Sequence, residues 1–293
     1  MTQRDQEALQ LCDLGLQEMW RGEVEPAIAR YDRALELCES DETRDLITIR
    51  KAEALISCER DGAEVSALPM IVLRRRSPRH VYLAANTLLR RYCELSDRKK
   101  AIFYGEIARQ AASELDDPFA GASVLNNLGI TLVADSKFAS AIDVLEEGLA
   151  AMMLLEGRDD HRSLHAAILG NLGGARVLCG QYEEGIRLLE LAVEQLGDDY
   201  GVVEACLDLC FGHLELGRFE VAEFYGRAAL DSATVPRQVR NANHLMGELC
   251  VRTGRYDESE VFFDAVAAFY PEFRNVKQLL MAVDLCSVVN WKA

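Results

Sequence analysis

Two residue pairs in this 293-residue chain have the spacing of metal ligands. Cys206 and Cys210 stand one helical turn apart, as do His161 and His165, so each pair can share a helix face. A closed site needs a second pair to complete four ligands, and no Cys-x-x-Cys signature occurs. The histidines read better as the opening of a helix, with Asp159 and Asp160 complementing its dipole. Of the nine cysteines, Cys12, Cys58, Cys93, Cys206, Cys210 and Cys250 fall where a small apolar filler is wanted. No metal, cofactor or disulfide framework is expected. Catalytic signatures are missing too: there is no phosphate loop, dinucleotide fingerprint, nucleophile elbow or His-Glu-x-x-His helix. The chain reads as not an enzyme.

Asparagine and arginine carry the remaining chemistry. An asparagine amide offers a donor and an acceptor, so it can pair with a peptide backbone in either register. Arg74, Arg75, Arg76, Arg79, Arg90, Arg91, Arg98, Lys99 and Lys100 form a basic island, with only Glu94 and Asp97 among them, on a chain of net charge −16. Such an island can dock an acidic partner segment or pair with acidic neighbours in the same fold. The acidic remainder repels phosphate, which argues against nucleic acid as a partner.

The elements that must position these residues repeat. Ala27, Ala67, Ala101, Ala141, Gly185, Ala222 and Ser259 follow one another at intervals of 40, 34, 40, 44, 37 and 37 residues. Five residues before each stands Gly22, Gly62, Ser96, Ser136, Gly180, Gly217 or Gly254, where a positive backbone angle would end a first helix. Twelve before lies a small or apolar residue such as Gly15, Gly129, Gly173 or Gly247. An aromatic recurs at Phe138, Tyr182, Phe219 and Tyr256, three residues before the small one. Periods of this length predict paired helices stacked in an array. Apolar stripes over 142–155 and 186–196 suggest that the long intervals come from long helices.

In this register the chain resembles the tetratricopeptide repeats, most closely at Asn243, Met246, Gly247, Cys250, Gly254, Tyr256, Ser259, Phe263, Val266 and Pro271. Leu125–Gly129 through Ala141, Leu169–Gly173 through Ala192, and Leu11–Gly15 through Ala34 match nearly as well. Repeats two and three are degenerate, with Leu55 and Leu89 in place of glycine. The elongated repeats look like those of kinesin light chain and of bacterial sensor regulators. The resemblance implies an all-α, right-handed α-solenoid of about seven helix hairpins, one domain over 1–293. Its repeats would span 5–41, 45–76, 80–115, 119–156, 162–197, 200–234 and 237–271. Val276, Leu279, Leu280 and Val283 suggest a capping helix within 272–290.

The family lines its groove with the first helix of each repeat. Carried over, this puts Asn86, Arg90, Asn126, Asn127, Asn171, Gly174, Asn241 and His244 in a peptide-binding groove, with Asn127 and Asn171 as backbone holders. The same asparagines can instead bond to a neighbouring helix. Gly170, Gly174 and Ala167 either leave room for a ligand or mark close helix packing. Ile130, Val133, Phe211 and Leu214 are further apolar groove candidates. Lysine and asparagine clamps for a terminal carboxylate are not reproduced, since Arg90 is the one cation among the groove positions.

The implied function is a non-catalytic interaction scaffold or adaptor that binds a peptide or helix of a protein partner. Alternatives are a ligand-responsive sensor with its effector on another chain, and an assembly chaperone. The first repeat starts near Ala8, which leaves no room for an effector domain ahead of it and favours the adaptor. No run of about 20 apolar residues and no leader is present, so no membrane partner and a cytoplasmic location are expected.

Overall fold

The structure, a computed structural model, describes residues 2–58, 60–155, 161–196, 201–284 and 290. Among them are fifteen helices and no strand. They run α1 (Gln3–Trp20), α2 (Val24–Leu37), α3 (Asp41–Ser57), α4 (Ala63–Arg74), α5 (Pro78–Glu94), α6 (Arg98–Glu114), α7 (Pro118–Ala134) and α8 (Phe138–Met153). There follow α9 (Arg162–Leu178), α10 (Tyr182–Leu196), α11 (Gly201–Glu215), α12 (Phe219–Ser232), α13 (Pro236–Arg252), α14 (Tyr256–Ala267) and α15 (Val276–Ala282). By internal contacts the chain divides into two compact units, Met1–Leu128 and Gly129–Ala293.

Local chemistry sets the helix ends. Proline opens α5, α7 and α13, where its missing N–H is not needed. Thr2, Ser40 and Asp97 cap α1, α3 and α6, each side chain accepting a backbone N–H three residues on. Between the two helices of a hairpin the chain takes a left-handed residue at Gly22, Ser96, Ser136, Gly180, Gly217 and Gly254. Gly62 departs from this expectation: it is extended, with φ −160°, and acts as the N-cap of the short α4. Pro69 lies inside α4, which fits the degeneracy of that repeat.

Helices α5, α6, α7 and α9 each have 17 residues, so part of the long intervals is helix. The 44-residue interval also contains a long connection, 154–161, of which 156–160 lie outside the described residues. The cap expected within 272–290 is a helix of seven residues; Val283 already has extended angles, φ −136° and ψ 124°.

In the N-terminal unit, Tyr31, Ile47, Ile49, Leu68 and Leu89 are fully buried. Gly15 lets the Tyr31 ring approach so closely that a Cβ would stand 2.7 Å from Cε1. In the C-terminal unit, Leu145, Ile168, Leu189, Leu207, Leu209 and Phe263 fill the core. Here α9 and α10 meet backbone to backbone: a Cβ on Gly185 would lie 2.7 Å from the Gly173 carbonyl, and one on Gly173 2.8 Å from that of Gly185. Phe211 and Leu214, sequence candidates for an apolar groove, are core residues of α11, 5% and 0% exposed; α11 packs against α9, α10, α12 and α13, which leaves these faces no solvent.

Candidate functional site

Within each unit, first helices of successive hairpins touch one another. In the N-terminal unit α1 meets α3 and α3 meets α5; in the C-terminal unit α9 meets α11, α11 meets α13 and α13 meets α15. Within each unit these odd-numbered helices form a layer, and the sequence-predicted site residues lie on odd-numbered helices.

In the N-terminal unit this layer is crossed by polar links. The Asn127 amide donates to the Asn86 carbonyl oxygen at 3.0 Å, joining α7 to α5. Thr87 donates to Glu53 at 3.1 Å, joining α5 to α3, and Arg50 donates to Glu53 at 2.8 Å. Burial raises the Tyr82 phenol, and its hydrogen bond with Ser123 opposes the shift. Asn126 is buried, while Arg90 is exposed at the end of the row. The structure therefore brings Asn86 and Asn127 together and places Asn126 on a buried side.

The basic island largely pairs within the unit. Arg74 lies 3.5 Å from Asp45, Arg75 3.2 Å from Glu114, Arg76 2.7 Å from Asp41 and Arg91 2.7 Å from Asp61. Lys100 pairs with Asp97 at 2.9 Å and sits over the Tyr92 ring. Arg79, Arg90, Arg98 and Lys99 have no ion-pair partner among the described residues.

In the C-terminal unit Asn171 is half-buried, one residue after Gly170. The two readings of the glycines can be separated here. A Cβ on Gly170 would make a single ordinary contact, 3.6 Å from Ala192 Cβ, whereas Gly173 is closed by Gly185 backbone. Packing requires glycine at 173 but not at 170. Gly174 is buried within α9. Asn241 is buried and accepts from the Arg240 guanidinium at 2.9 and 3.1 Å, so it faces its own helix neighbour. His244 tilts against Phe263, and burial depresses its pKa to about 4.

The metal-like pairs serve packing. Cys206 and Cys210 are buried, and burial pushes the Cys210 thiol up to about 12, where it is inert. His165 bonds to Gln195 at 2.8 Å, and His161 is the N-cap of α9; Asp159 and Asp160 lie outside the described residues. Among the described residues no group of three or more His, Cys, Asp or Glu could hold a metal, and no helix is long and apolar enough to cross a membrane.

No family model and no characterised protein matches this chain by sequence. Solved structures do match. A Rap protein complexed with competence and sporulation factor superposes with a TM-score of 0.69 at 13% identity, over 96% of this chain and 79% of its own. NprR in complex with its cognate peptide NprX gives 0.68 at 12%, over 94% and 82%. A tetratricopeptide repeat protein from Parabacteroides merdae gives 0.58 at 12%, over 95% and 100%. The fold is that of a tetratricopeptide-repeat (TPR) solenoid.

One part of the TPR layer escaped sequence reasoning. Arg252, the last residue of α13, pairs with Glu215 at 2.6 Å, Glu248 at 3.2 Å and Asp284 at 2.5 Å. Burial opposes its charge, but the hydrogen bonds and charges of Glu215 and Asp284 outweigh it and raise the guanidinium above its ordinary range. Burial, with help from Asp284 and Glu215, raises the Glu248 carboxyl. The TPR consensus describes small and bulky positions, so it carries no mark for a charge at a helix end.

Proposed function

We propose that this chain is a non-catalytic interaction scaffold that takes an extended segment of a partner protein against the odd-helix layer, at Gly170 and Asn171 in the C-terminal unit. The observation that carries this is at Gly170, which lacks a side chain although packing there tolerates a Cβ, with one ordinary contact at 3.6 Å from Ala192 Cβ of α10. A bare helix surface beside an amide lets another backbone approach and exchange hydrogen bonds. The peptide named in the NprR complex supports a peptide ligand for a fold of this kind. In the N-terminal unit taken by itself, Arg79, Arg90, Arg98 and Lys99 suit an acidic partner segment. The reading is of an adaptor acting in the cytoplasm, its buried cysteines kept as thiols.

The test uses an array of random peptides probed with the full chain, followed by titration of the best binder. Gly170→Leu should abolish binding by filling the open surface, with helicity unchanged. Asn171→Ala should weaken binding by about 1–3 kcal/mol if its hydrogen bonds are desolvated in the complex. Unchanged affinity in a folded Gly170→Leu chain rejects the assignment.

A further inference from the structure

Two even-numbered helices carry a feature that repeat packing does not require. Two residues after the small residue of each repeat stand Ala29, Pro69, Phe103, Asp143, Arg187, Phe224 and Val261, so packing fixes no residue type there. Phe103 of α6 and Phe224 of α12 nevertheless hold large rings in solvent, 60% and 66% exposed. Each ring is braced in a ladder of the same geometry. Phe103 stands edge-on to Tyr104, with centroids 5.1 Å apart at 75°, and Tyr104 stacks on Tyr92 of α5 at 5.6 Å and 5°. Phe224 stands edge-on to Tyr225 at 5.2 Å and 75°, and Tyr225 stacks on His213 of α11 at 5.7 Å and 8°. A ring held in this way loses little freedom when a partner covers it.

The charges that flank the two rings are opposite. Four residues before the phenylalanine and three after it, on the same helix face, α6 has Lys99 and Glu106 where α12 has Glu220 and Arg227. Glu106 and Arg227 are paired inside their own helices, with Arg109 at 3.9 Å and with Glu223 at 2.6 Å. Lys99 and Glu220 are exposed and have no ion-pair partner among the described residues. Lys100, which lies 4.9 Å over the Tyr92 ring, adds positive charge beside Phe103, and its counterpart on α12 is the exposed apolar Val221.

We propose that the Phe103 face of α6 in one copy of the chain docks on the Phe224 face of α12 in a second copy, a head-to-tail contact. With the two helices parallel the rings meet, Lys99 comes opposite Glu220 and Glu106 opposite Arg227; with the helices antiparallel, like charges meet. The charge pattern therefore selects the parallel approach. A symmetric pairing of two α6 faces would bring Lys99 to Glu106, which Arg109 already holds, and would leave Glu220 alone. The head-to-tail pairing matches the two free charges to each other. The net charge of −16 repels copies at long range, but about 0.15 M salt screens charges beyond about 8 Å and leaves groups in contact attracted. The contact lies on even-numbered helices and does not depend on the reading of Gly170 and Asn171.

Phe103→Glu removes the first face and Phe224→Lys the second; both side chains are exposed, so the fold tolerates either change, and circular dichroism checks this. Full chains are followed by sedimentation equilibrium up to about 0.5 mM, because a contact between two helix faces belongs with small, weak interfaces. The mass of the unaltered chain should rise with concentration. Each one-faced variant alone should remain a monomer, and their equimolar mixture should form a dimer and grow no further. An unaltered chain or a mixture that stays monomeric overturns the proposal. So does a one-faced variant that dimerises by itself, which would mean that like faces pair symmetrically. Lys99→Glu added to the Phe224→Lys chain should weaken the mixed dimer by about fivefold or more, and Glu220→Lys added to the Phe103→Glu chain should restore it. A dimer indifferent to the first change, or not restored by the second, overturns the pairing of these two faces.

Discussion

The odd-helix layers of the two units satisfy their polar side chains differently. In the N-terminal unit the partners come from neighbouring helices or the same one: Asn86 with Asn127, Glu53 with Thr87 of α5 and with Arg50 of its own helix. In the C-terminal unit Arg252 and the end of α7 reach outside the hairpins, to Asp284 and Asn290. Close contacts at glycines differ as well. Gly105 makes room for the flexible end of Leu128, whereas Gly173 and Gly185 let two backbones touch. A layer closed on its own helices gains rigidity.

The largest effect should come from adding one methyl group on each side of this comparison. In Gly185→Ala the new Cβ meets the Gly173 carbonyl at 2.7 Å and the Val177 amide nitrogen at 2.9 Å, and backbone cannot step aside. Overpacking outweighs the gain of about 1 kcal/mol in helix propensity, for a net loss of about 2–4 kcal/mol. Gly105→Ala meets only Leu128 and Leu89 side-chain ends, which can rotate, so its net change should lie within about 1 kcal/mol. Urea unfolding of the two variants measures both; equal losses would mean that the units pack alike.

Acid gives the next largest contrast. Burial holds the His244 pKa at about 4, below its ordinary 6.5, and also lowers that of His213. The unfolded chain then binds protons that the folded chain refuses, so stability is full above pH 6.5 and falls as pH drops towards 4. For His244 the loss is up to about 3 kcal/mol. In the N-terminal unit, backbone donors from Ser40 and Glu39 hold the Asp5 carboxyl well below its ordinary 3.8, so its contribution persists until pH falls past that value. His80, the histidine of that unit, also has a depressed pKa, again through burial. Hydrogen exchange between pH 7 and 4 should show α13 losing protection before α1. His244→Gln should flatten the change in α13, and simultaneous loss in both helices would contradict the contrast.

Much of the fold was legible because repetition averages over local noise. Small residues at fixed offsets located the hairpins, and Ser96 and Ser136 were correctly grouped with the turn glycines although serine resists that geometry. Gly62 was misread since the ladder marks a chain position, and a glycine at a helix start looks the same as one at a helix end. The site was less legible. Position in a repeat says which helix carries a side chain but not which neighbour claims it: Asn127 went to Asn86 and Asn241 to Arg240. Val283 kept the apolar periodicity of a helix, which hid the extended run that brings Asp284 to Arg252.

Loss of the Asn86–Asn127 link should cost about 1 kcal/mol, since both side chains stay near solvent and the bond is neutral. The Asn86→Ala, Asn127→Ala double variant read by urea unfolding checks this, and a loss above about 3 kcal/mol would mark the pair as a buried network instead.

The smallest effect concerns the two left-handed serines, one in each unit. A non-glycine residue in this region costs about 1 kcal/mol, so Ser96→Gly should relieve strain, offset in part by the entropy of a glycine in the unfolded chain. A net gain of about 0.5 kcal/mol is expected at Ser96, whose φ is 57°. Ser136 has nearly the same angle, φ 58°, but its hydroxyl accepts from Asn290 at 3.2 Å. Ser136→Gly relieves the same strain and loses that contact, so its gain should vanish. If the two substitutions stabilise equally in thermal unfolding, the contact between the Ser136 hydroxyl and Asn290 contributes nothing to stability.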